Sequence, residues 1–334
     1  MELRQLGDSG LRVSRFCLGS MTFGASSWGC DEQEARRIVD AFLDQGGCFI
    51  DSADVYSGGR SEEILGSALG SRRDDIVLAT KVGNALGPHA NDWGMSRKHV
   101  LASLHQSLRR LNTDYIDLYQ LHYYDVTTPI EETLSVLSDC LRAGKIRAIG
   151  CSNFFAWQVA EANASARVRG TPQFVSCQMM YNLVRRDLER DFFDFCRRRG
   201  VGLLTYSPLH SGILARPFDR DTGPGAGSRA ALNPAVYLRD EGRLSQVTAA
   251  LVALAEKVER TPAELALGWV LRQEAITSVL VGAQTVDELN QNLAVADLDV
   301  DEDVWSELDS ATALPPSYPS DFYTRESWLG RWAR

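Results

Sequence analysis

Short apolar runs alternate with amphipathic segments along most of this chain, beginning near Phe16. In the amphipathic segments, apolar residues recur every three or four positions, as they do along one face of an α-helix. The apolar runs are short and bounded by turn-forming residues, which is typical of buried strands. Strands that alternate with helices form parallel sheets, and about eight strand–helix units fit a closed barrel better than an open sheet. The pattern therefore predicts one (β/α)8 TIM barrel domain spanning residues 1–334.

The individual elements can be placed from these runs. Eight barrel strands are predicted to begin at Phe16 and then to occupy 48–51, 76–81, 115–122, 146–150, 174–177, 201–205 and 278–281. Capping boxes predict helix starts at Asp31/Glu34, Thr261/Glu264 and Thr285/Glu288. Helices are also predicted at 187–199, 244–258 and 301–311. No G-x-G-x-x-G segment follows the first strand, which argues against a Rossmann fold.

Three segments lie outside the repeating pattern. Residues 1–14 contain two short apolar stretches around a Gly7–Gly10 turn, which predicts an N-terminal β-hairpin. Residues 207–243 are rich in glycine and predict a long surface loop, and loops of this length in compact domains are often functional. Residues 312–334 form an aromatic-rich C-terminal tail.

Charge and composition narrow the possible partners. The formal net charge is −9, which argues against a nucleic-acid surface because phosphate binding needs a concentrated basic face. No apolar run approaches the roughly 20 residues that cross a bilayer, and the first residues lack an apolar signal core. We therefore expect a cytoplasmic protein without a membrane partner. The 7 cysteines show no metal-ligand spacing, so we expect reduced thiols and neither disulfides nor a metal.

Ionisable side chains close three consecutive predicted strands. Asp51, Lys81 and His122 each end an apolar run, and Tyr56 follows Asp51 in the next loop. Taken singly, each could be a structural residue at the barrel rim. In TIM barrels, however, active sites gather where the strands end at their carboxyl side. Four such residues at one rim predict a catalytic site.

The chemistry of this set favours proton transfer. A tyrosine is a poor acid or base near neutrality because its ordinary pKa is about 10. A nearby lysine is expected to stabilise the phenolate and to lower that pKa, and two units of lowering need roughly 3 kcal/mol. A carboxylate beside the lysine keeps it charged and oriented. A histidine can orient a carbonyl group or relay a proton.

Six ordered segments carry a family resemblance. They are DSADVYSGGRSEEILG at 51–66, IVLATKVG at 76–83, DYIDLYQLHYYD at 114–125, GKIRAIGCSNF at 144–154, TYSPLHSGIL at 205–214 and VLVGAQTVDELNQN at 279–292. Together they resemble the aldo-keto reductase superfamily, in particular the branch of aryl-alcohol-dehydrogenase-like proteins and potassium-channel β subunits. The resemblance extends from the hairpin to about residue 310.

The resemblance implies a division of labour. Tyr56 would be the general acid that protonates a carbonyl oxygen, Lys81 paired with Asp51 would tune it, and His122 would orient the substrate. The implied cofactor-binding residues are Ser152, Asn153, Gln178, Tyr206, Ser207, Leu209, Gly212, Arg229, Gly282, Gln284, Glu288 and Asn292. The first three would hold the nicotinamide amide, Tyr206 would stack on the nicotinamide ring, and the loop at 207–243 would fold over the cofactor. The cofactor carries the hydride, and the protein supplies position and electrostatics.

The sequence leaves the choice of dinucleotide open. Gln284 stands where relatives often carry a basic residue, and the carboxylate of Glu288 would repel a 2′-phosphate. Ser228 and Arg229 resemble a phosphate-contacting position, and a helix that starts after Thr285 would also attract a phosphate. The last two features favour NADP(H), and the first two leave NAD(H) as the alternative.

Aromatic residues of the rim loops are candidates for the substrate pocket. They are Phe23, Trp28, Trp93, Tyr123 and Tyr124, with Tyr318, Phe322, Tyr323, Trp328 and Trp332 in the tail. Such a set suits an aryl aldehyde, a quinone-like ketone or a keto-sugar as the small-molecule partner.

Three other functions have to be weighed. They are an NADPH-binding regulatory subunit, an NAD-dependent sugar dehydrogenase and a metal-dependent barrel hydrolase. The first is disfavoured because all four chemical residues are present. The hydrolase is disfavoured because, of the 5 histidines, only His122 clearly ends a strand.

Overall fold

A computed structural model describes residues 1–216, 218, 223, 229–319 and 321 of the chain. Ser228 and four aromatic residues of the predicted tail lie outside the described residues. Those four are Phe322, Tyr323, Trp328 and Trp332.

Eight parallel strands close into a barrel, as the alternating pattern predicts. The strands are β3 (Phe16–Gly19), β4 (Phe49–Asp51), β5 (Val77–Val82), β6 (Ile116–Leu121), β7 (Ile146–Ser152), β8 (Phe174–Met180), β9 (Gly202–Tyr206) and β10 (Ile276–Val281). Each strand pairs with the next along the chain, and β10 returns to β3 with Val279 opposite Phe16. The (β/α)8 prediction is confirmed.

The helices surround this barrel and bury their apolar faces against it. They are α1 (Glu32–Asp44), α2 (Arg60–Leu69), α3 (Arg97–Arg110), α4 (Ile130–Arg142), α5 (Ala156–Arg169), α6 (Phe192–Arg199), α7 (Arg229–Leu232), α8 (Pro234–Tyr237), α9 (Glu241–Lys257), α10 (Pro262–Leu271), α11 (Val286–Ala294) and α12 (Glu302–Ala311). In α1, for example, Ile38, Val39 and Phe42 are fully buried, at the helical spacing seen in the sequence. No helix within the described ranges is long and apolar enough to cross a membrane.

The N-terminal hairpin closes one end of the barrel. Its strands β1 (Leu3–Gln5) and β2 (Arg12–Ser14) pair in antiparallel fashion, as predicted. Leu6 and Val13 are fully buried and pack with residues from the barrel interior, among them Phe49. Because this apolar plug fills the amino-terminal end of the barrel strands, the carboxyl-terminal end is left for a site.

Two predicted elements need correction. The helix expected at 187–199 is split into a 3-10 turn and the shorter α6, since the Arg186 guanidinium binds Glu189 and Asp309 and so ties the first turn towards α12. The loop expected at 207–243 contains a 3-10 segment, His210–Ala215, the short helices α7 and α8, and the start of α9. Asp240 caps α9 by accepting a hydrogen bond from the backbone N–H of Arg243, which extends that helix beyond the predicted start.

Candidate active site

The four predicted catalytic residues come together at the carboxyl end of the barrel. Asp51 is the last residue of β4, Lys81 lies one residue before the end of β5, and His122 directly follows β6. Tyr56 begins a 3-10 turn after β4. Ser57 and Gly58 in this turn have positive φ, and the Ser57 hydroxyl donates a hydrogen bond to a backbone carbonyl, which fixes the path of the turn.

Lys81 is the centre of the group. Its Nζ donates hydrogen bonds to Asp51 Oδ2, to the backbone carbonyl of Ser52 at 2.9 Å and to the Tyr56 hydroxyl at 3.2 Å. These contacts use all three donors of the ammonium group. Burial lowers the pKa of Lys81, but attraction to Asp51 and Tyr56 outweighs burial, so the net pKa is raised. The lysine is therefore a permanent cation beneath the tyrosine.

The second oxygen of Asp51 is held by two amides. Asp51 Oδ1 accepts hydrogen bonds from Gln120 Nε2 at 2.8 Å and from Gln178 Nε2 at 2.9 Å. Asp51 and Lys81 are each only 1% exposed, so water does not compete for either charge. Gln120 was not among the predicted site residues, and its only sequence signal is a polar amide inside the apolar run of β6.

The electrostatics of Tyr56 differ from the prediction. Burial raises the pKa of Tyr56, and the opposing attraction of Lys81 does not overcome it. The expectation of a lowered pKa is therefore wrong, because the sequence reveals the lysine but not the depth of burial. A raised pKa keeps the phenol protonated, as a proton donor needs.

His122 is neutral and sits beside Tyr56. Burial, together with repulsion from Lys81, lowers the pKa of His122 to about 3. Its ring meets the Tyr56 ring edge to face, with centroids 6.0 Å apart. Its Nδ1 lies 2.8 Å from the amide nitrogen of Asn84, a residue that sequence reasoning missed. Asn84 lies three positions after Lys81, in a loop segment without a distinguishing pattern.

A cleft of about 920 Å³ opens above these residues. Tyr56, His122 and Asp51 line it, while Lys81 lies behind them. All of the predicted cofactor-binding residues also line it, namely Ser152, Asn153, Gln178, Tyr206, Ser207, Leu209, Gly212, Arg229, Gly282, Gln284, Glu288 and Asn292. One cleft thus joins Asp51, Tyr56 and His122 to these predicted cofactor contacts.

A hydrogen-bonded chain borders the catalytic end of the cleft. The Tyr206 hydroxyl donates to Asn153 Oδ1 at 2.7 Å, and Asn153 Nδ2 donates to the backbone carbonyl of His122 at 3.0 Å. The Ser152 hydroxyl donates to the backbone carbonyl of Gln178 at 2.8 Å. Asn153 adopts a φ of +58°, which the short Asn side chain tolerates. These contacts fix the polar groups next to the tyrosine.

The middle of the cleft suits a phosphate-bearing ligand. In the part of the chain that the structure describes, the hydroxyls of Ser207 and Ser211 are buried without a hydrogen-bond partner. Buried hydroxyls without partners are costly, and a ligand with acceptor oxygens would satisfy them. Gly212 has a φ of +85°, and a side chain there would meet open space. Ser211 was not predicted as a contact.

The lining of the cleft carries both signs of charge, from Glu288 and from Arg229. Glu288 accepts a hydrogen bond from the backbone N–H of Gln284 at 2.8 Å, while Thr285 caps α11. The predicted capping box is therefore altered, because the Glu288 carboxylate accepts from the backbone N–H of Gln284 and not from that of Thr285. Arg229 stacks on the Tyr237 ring at 5.5 Å, and its buried Nε has no partner among the described residues. Its positive charge acts on Tyr56 and Tyr206, where it opposes the rise of the pKa that burial causes.

The predicted substrate residues are scattered. Trp28 lines the cleft, but Phe23 is fully buried in the core and cannot form a pocket wall. The Tyr123 hydroxyl donates a hydrogen bond to the Gly83 carbonyl. Tyr124 packs against the rings of Phe154, just before α5, and Trp157, within α5. Trp93 is 42% exposed and lies outside the lining of the cleft. Only Trp28 of these five therefore lies where the prediction needs it.

The described residues contain neither a metal-binding group nor a disulfide. Across residues 1–216, 218, 223, 229–319 and 321, no group of His, Cys, Asp and Glu side chains could hold a metal ion. All the cysteines lie in these ranges as free thiols, most of them buried.

Comparison with known proteins agrees with this architecture. The sequence profile described as "Aldo/keto reductase family" matches residues 15–313. The chain therefore belongs to the aldo/keto reductase family and is an oxidoreductase of that family. Members of this family generally bind a nicotinamide cofactor.

Three similar proteins illustrate the range of its relatives. Norsolorinic acid reductase B of Aspergillus parasiticus is 35% identical over 335 residues, covering 96% of this chain and 86% of that protein. Versiconal hemiacetal acetate reductase of the same fungus is 33% identical over 317 residues, covering 88% and 92%. A probable voltage-gated potassium channel subunit beta of Arabidopsis thaliana is 35% identical over 306 residues, covering 89% and 92%. These relatives match the branch that the sequence motifs resemble.

Proposed function

We propose that this protein reduces an aldehyde or ketone to an alcohol by direct hydride transfer from NADPH, with Tyr56 as the general acid. One observation carries the proposal. Lys81 binds Asp51 and the Tyr56 hydroxyl at once, in a buried group at the base of the cleft. A protonated tyrosine over a fixed cation can release a proton and remain as a stabilised phenolate.

The lining of the cleft supports a dinucleotide cofactor. Ser152, Asn153 and Gln178 would hold the nicotinamide amide, and Ser207 and Ser211 would donate hydrogen bonds to the diphosphate. Tyr206 would stack on the nicotinamide ring, and Arg229 would face a 2′-phosphate. The remaining predicted contacts would shape the rest of the binding surface, namely Leu209, Gly212, Gly282, Gln284, Glu288 and Asn292. When bound, reduced nicotinamide supplies the hydride that forms the new C–H bond.

Tyr56 completes the reduction by moving one proton. As the carbonyl carbon gains the hydride, its oxygen gains negative charge, and the phenolic O–H transfers its proton to that oxygen. The phenolate left behind is stabilised by the Lys81 ammonium, which Asp51 holds in place. A positioned general acid of this kind typically contributes about 10²- to 10⁴-fold to the rate.

His122 would act as a neutral hydrogen-bond donor. Its pKa of about 3 excludes a charged imidazolium at ordinary pH. A neutral ring offers one N–H to the carbonyl oxygen, and this second donor orients the oxygen towards Tyr56.

The substrate class follows from the surfaces near these donors. Trp28 adds an aromatic ring to the cleft, which favours a planar carbonyl compound such as an aryl aldehyde or a quinone-like ketone. Two relatives, norsolorinic acid reductase B and versiconal hemiacetal acetate reductase, are also named as reductases of organic compounds. A keto-sugar could stack on the same Trp28 ring. A cytosolic location stays a prediction.

The proposal is tested by following NADPH oxidation with a panel of aryl aldehydes, quinones and keto-sugars. We expect turnover by the unaltered protein and a loss of at least about 100-fold in Tyr56→Phe. NADPH affinity, measured by fluorescence titration, should be unchanged in the variant. Equal turnover by the two proteins would rule out Tyr56 as the acid.

Two alternatives have distinct outcomes in the same experiment. The channel-subunit relative makes a regulatory role the second candidate. NADPH binding without turnover of any carbonyl would support that role. Oxidation of sugars with NAD, in preference to any NADPH-dependent reduction, would instead support a sugar dehydrogenase.

A further inference from the structure

We infer that Asn84 is a positioning residue that fixes which ring nitrogen of His122 carries the hydrogen. The inference rests on the proposed function, because that hydrogen is the one offered to the substrate carbonyl. The side-chain amide nitrogen of Asn84 lies 2.8 Å from His122 Nδ1. Asn84 itself belongs to neither the predicted nor the observed lining of the cleft, so it acts through His122.

The chemistry of the two groups determines the tautomer. An amide NH2 group can only donate a hydrogen bond, and a neutral imidazole has one donor nitrogen and one acceptor nitrogen. His122 is neutral because burial and the nearby Lys81 cation disfavour a second proton. Nδ1 therefore accepts from Asn84, and the single hydrogen lies on Nε2.

The backbone around Asn84 is held from two sides. The carbonyl of the preceding residue, Gly83, accepts hydrogen bonds from the Gly94 backbone N–H at 2.8 Å and from the Tyr123 hydroxyl. On the neighbouring strand, the His122 backbone N–H donates to the Val82 carbonyl at 2.9 Å. The amide and the imidazole thus project from two strand ends whose separation is fixed by the barrel. Tyr123, predicted as a substrate contact, serves this arrangement instead.

This arrangement explains why a neutral histidine can act beside a lysine. If the hydrogen lay on Nδ1, the Nε2 lone pair would face the carbonyl oxygen, and two acceptors would repel each other. Among the described residues, the titratable groups that face His122 are Lys81, from β5, and Tyr56, from the turn after β4. A third titratable group, His99 of α3, contacts the backbone of Asn84. Neither Lys81 nor Tyr56 accepts a hydrogen bond from the His122 ring in this structure, so Asn84 is the group that selects the tautomer.

The experiment compares the unaltered protein with Asn84→Asp, which keeps the size of the side chain but turns a donor into an acceptor. Histidine ring nitrogens are observed by NMR in protein labelled with ¹⁵N-histidine, and His122→Gln identifies the signals. We expect hydrogen on Nε2 near neutral pH in the unaltered protein and on Nδ1 in Asn84→Asp. The exposed residue Asn112 provides a matched control, because Asn112→Asp adds the same charge away from the site.

Kinetics supply a second readout. In Asn84→Asp we expect kcat to fall by about 10- to 100-fold, with the NADPH Kd unchanged. The new carboxylate also raises the pKa of His122. Below that pKa the imidazolium still offers an Nε2 hydrogen, so activity should fall as pH rises through it. The unaltered protein and Asn112→Asp should lack this pH dependence.

The outcomes separate this inference from the proposed function. Hydrogen on Nδ1 in the unaltered protein, or an unchanged tautomer and rate in Asn84→Asp, would overturn the role of Asn84. Turnover of no carbonyl by the unaltered protein would refute the proposed function. The NMR result would still decide the tautomer in that case.

Discussion

Tyr56 and His122 meet edge to face, with ring centroids 6.0 Å apart and ring planes inclined by 81°. Both residues line the same cleft, so one carbonyl oxygen can accept hydrogen bonds from a phenol and from an imidazole. The Lys81 ammonium lies behind this pair, 3.2 Å from the phenolic oxygen. On the proposed function, a substrate oxygen would sit at this pair, and the ionisation of Tyr56 would set the pH dependence of the reaction.

The reduction rate should be insensitive to pH well into the alkaline range. Burial raises the pKa of Tyr56 above its ordinary value of about 10, and an acid catalyst is lost only when pH rises through its own pKa. We therefore expect kcat/KM for carbonyl reduction to stay level up to at least pH ~10. Alcohol oxidation needs the phenolate, so its rate should increase with pH over the same range.

The His122 ring adds no step to this profile above its pKa of about 3. The measurement is kcat/KM in both directions at a series of pH values, with Tyr56→Phe as the control. A fall in reduction centred near neutral pH would show that another group is the acid.

Removing the buried lysine should destabilise the fold as well as stop catalysis. In Lys81→Met the Asp51 carboxylate, which is 1% exposed, loses its counterion. Breaking a buried ion pair by removing one partner typically costs about 3–5 kcal/mol. We expect a loss of that size in the free energy of unfolding, measured by urea denaturation.

The double variant Lys81→Met/Asp51→Asn serves as the control for this prediction. It removes both charges, and the Asn side chain can still meet the amides of Gln120 and Gln178. The double variant should regain most of the stability without regaining turnover. A double variant no more stable than Lys81→Met would mean that the lost packing, not the unpaired charge, causes the effect.

The sequence was sufficient to predict the barrel and the strand ends that carry Asp51, Lys81 and His122. The positions of Asp51, Lys81 and His122 follow from apolar periodicity together with the rule that barrel sites lie at the carboxyl ends of strands. Glycine and the capping residues then mark the helix boundaries, as at Thr261, whose capping box with Glu264 is fully formed.

The supporting residues could not be predicted in the same way. Gln120 reaches Asp51 because Lys81 and Gln120 are partners in the register between β5 and β6, and register is a property of the assembled sheet. Phe23 illustrates the converse error. A rim aromatic in the sequence looks like a pocket wall, but a backbone bridge to Cys30 turns its segment inward and buries the ring.

Asp54 should make the fold more stable in mild acid than at alkaline pH. Its carboxyl is fully buried, with one oxygen bonded to Ser103 and the other without a partner in the described residues. Burial raises the pKa of Asp54 to about 7, above the value of about 4 expected for the unfolded chain. The stability that protonated Asp54 contributes to the fold is therefore complete below pH ~4 and is lost as pH rises through ~7.

The measurement is the free energy of unfolding of Asp54→Asn and of the unaltered protein across that window. In Asp54→Asn the free energy of unfolding should lack the decrease with pH that Asp54 causes. At pH ~8 it should exceed that of the unaltered protein by roughly 4 kcal/mol at most. Parallel curves for the two proteins would mean that Asp54 ionises as freely in the folded state as in the unfolded chain.

Arg229 should determine the preference for NADPH over NADH. Its buried Nε has no partner in the described residues, and it lines the same cleft as Glu288, whose carboxylate would repel a phosphate. A charge-assisted hydrogen bond contributes about 1.5–3 kcal/mol, so Arg229→Ala should raise the Kd of NADPH by roughly 10- to 100-fold. The Kd of NADH should change little. Glu288→Gln should act in the opposite direction and tighten NADPH binding.

Fluorescence titration of both cofactors measures these constants without turnover. Arg239→Ala is the matched control, because Arg239 is exposed in the same segment and does not line the cleft. It should leave both affinities unchanged. If Arg229→Ala weakened both cofactors equally, the arginine would contact a group they share, such as the diphosphate. The 2′-phosphate would then have to be recognised elsewhere, for which the N-terminus of α11 is a candidate.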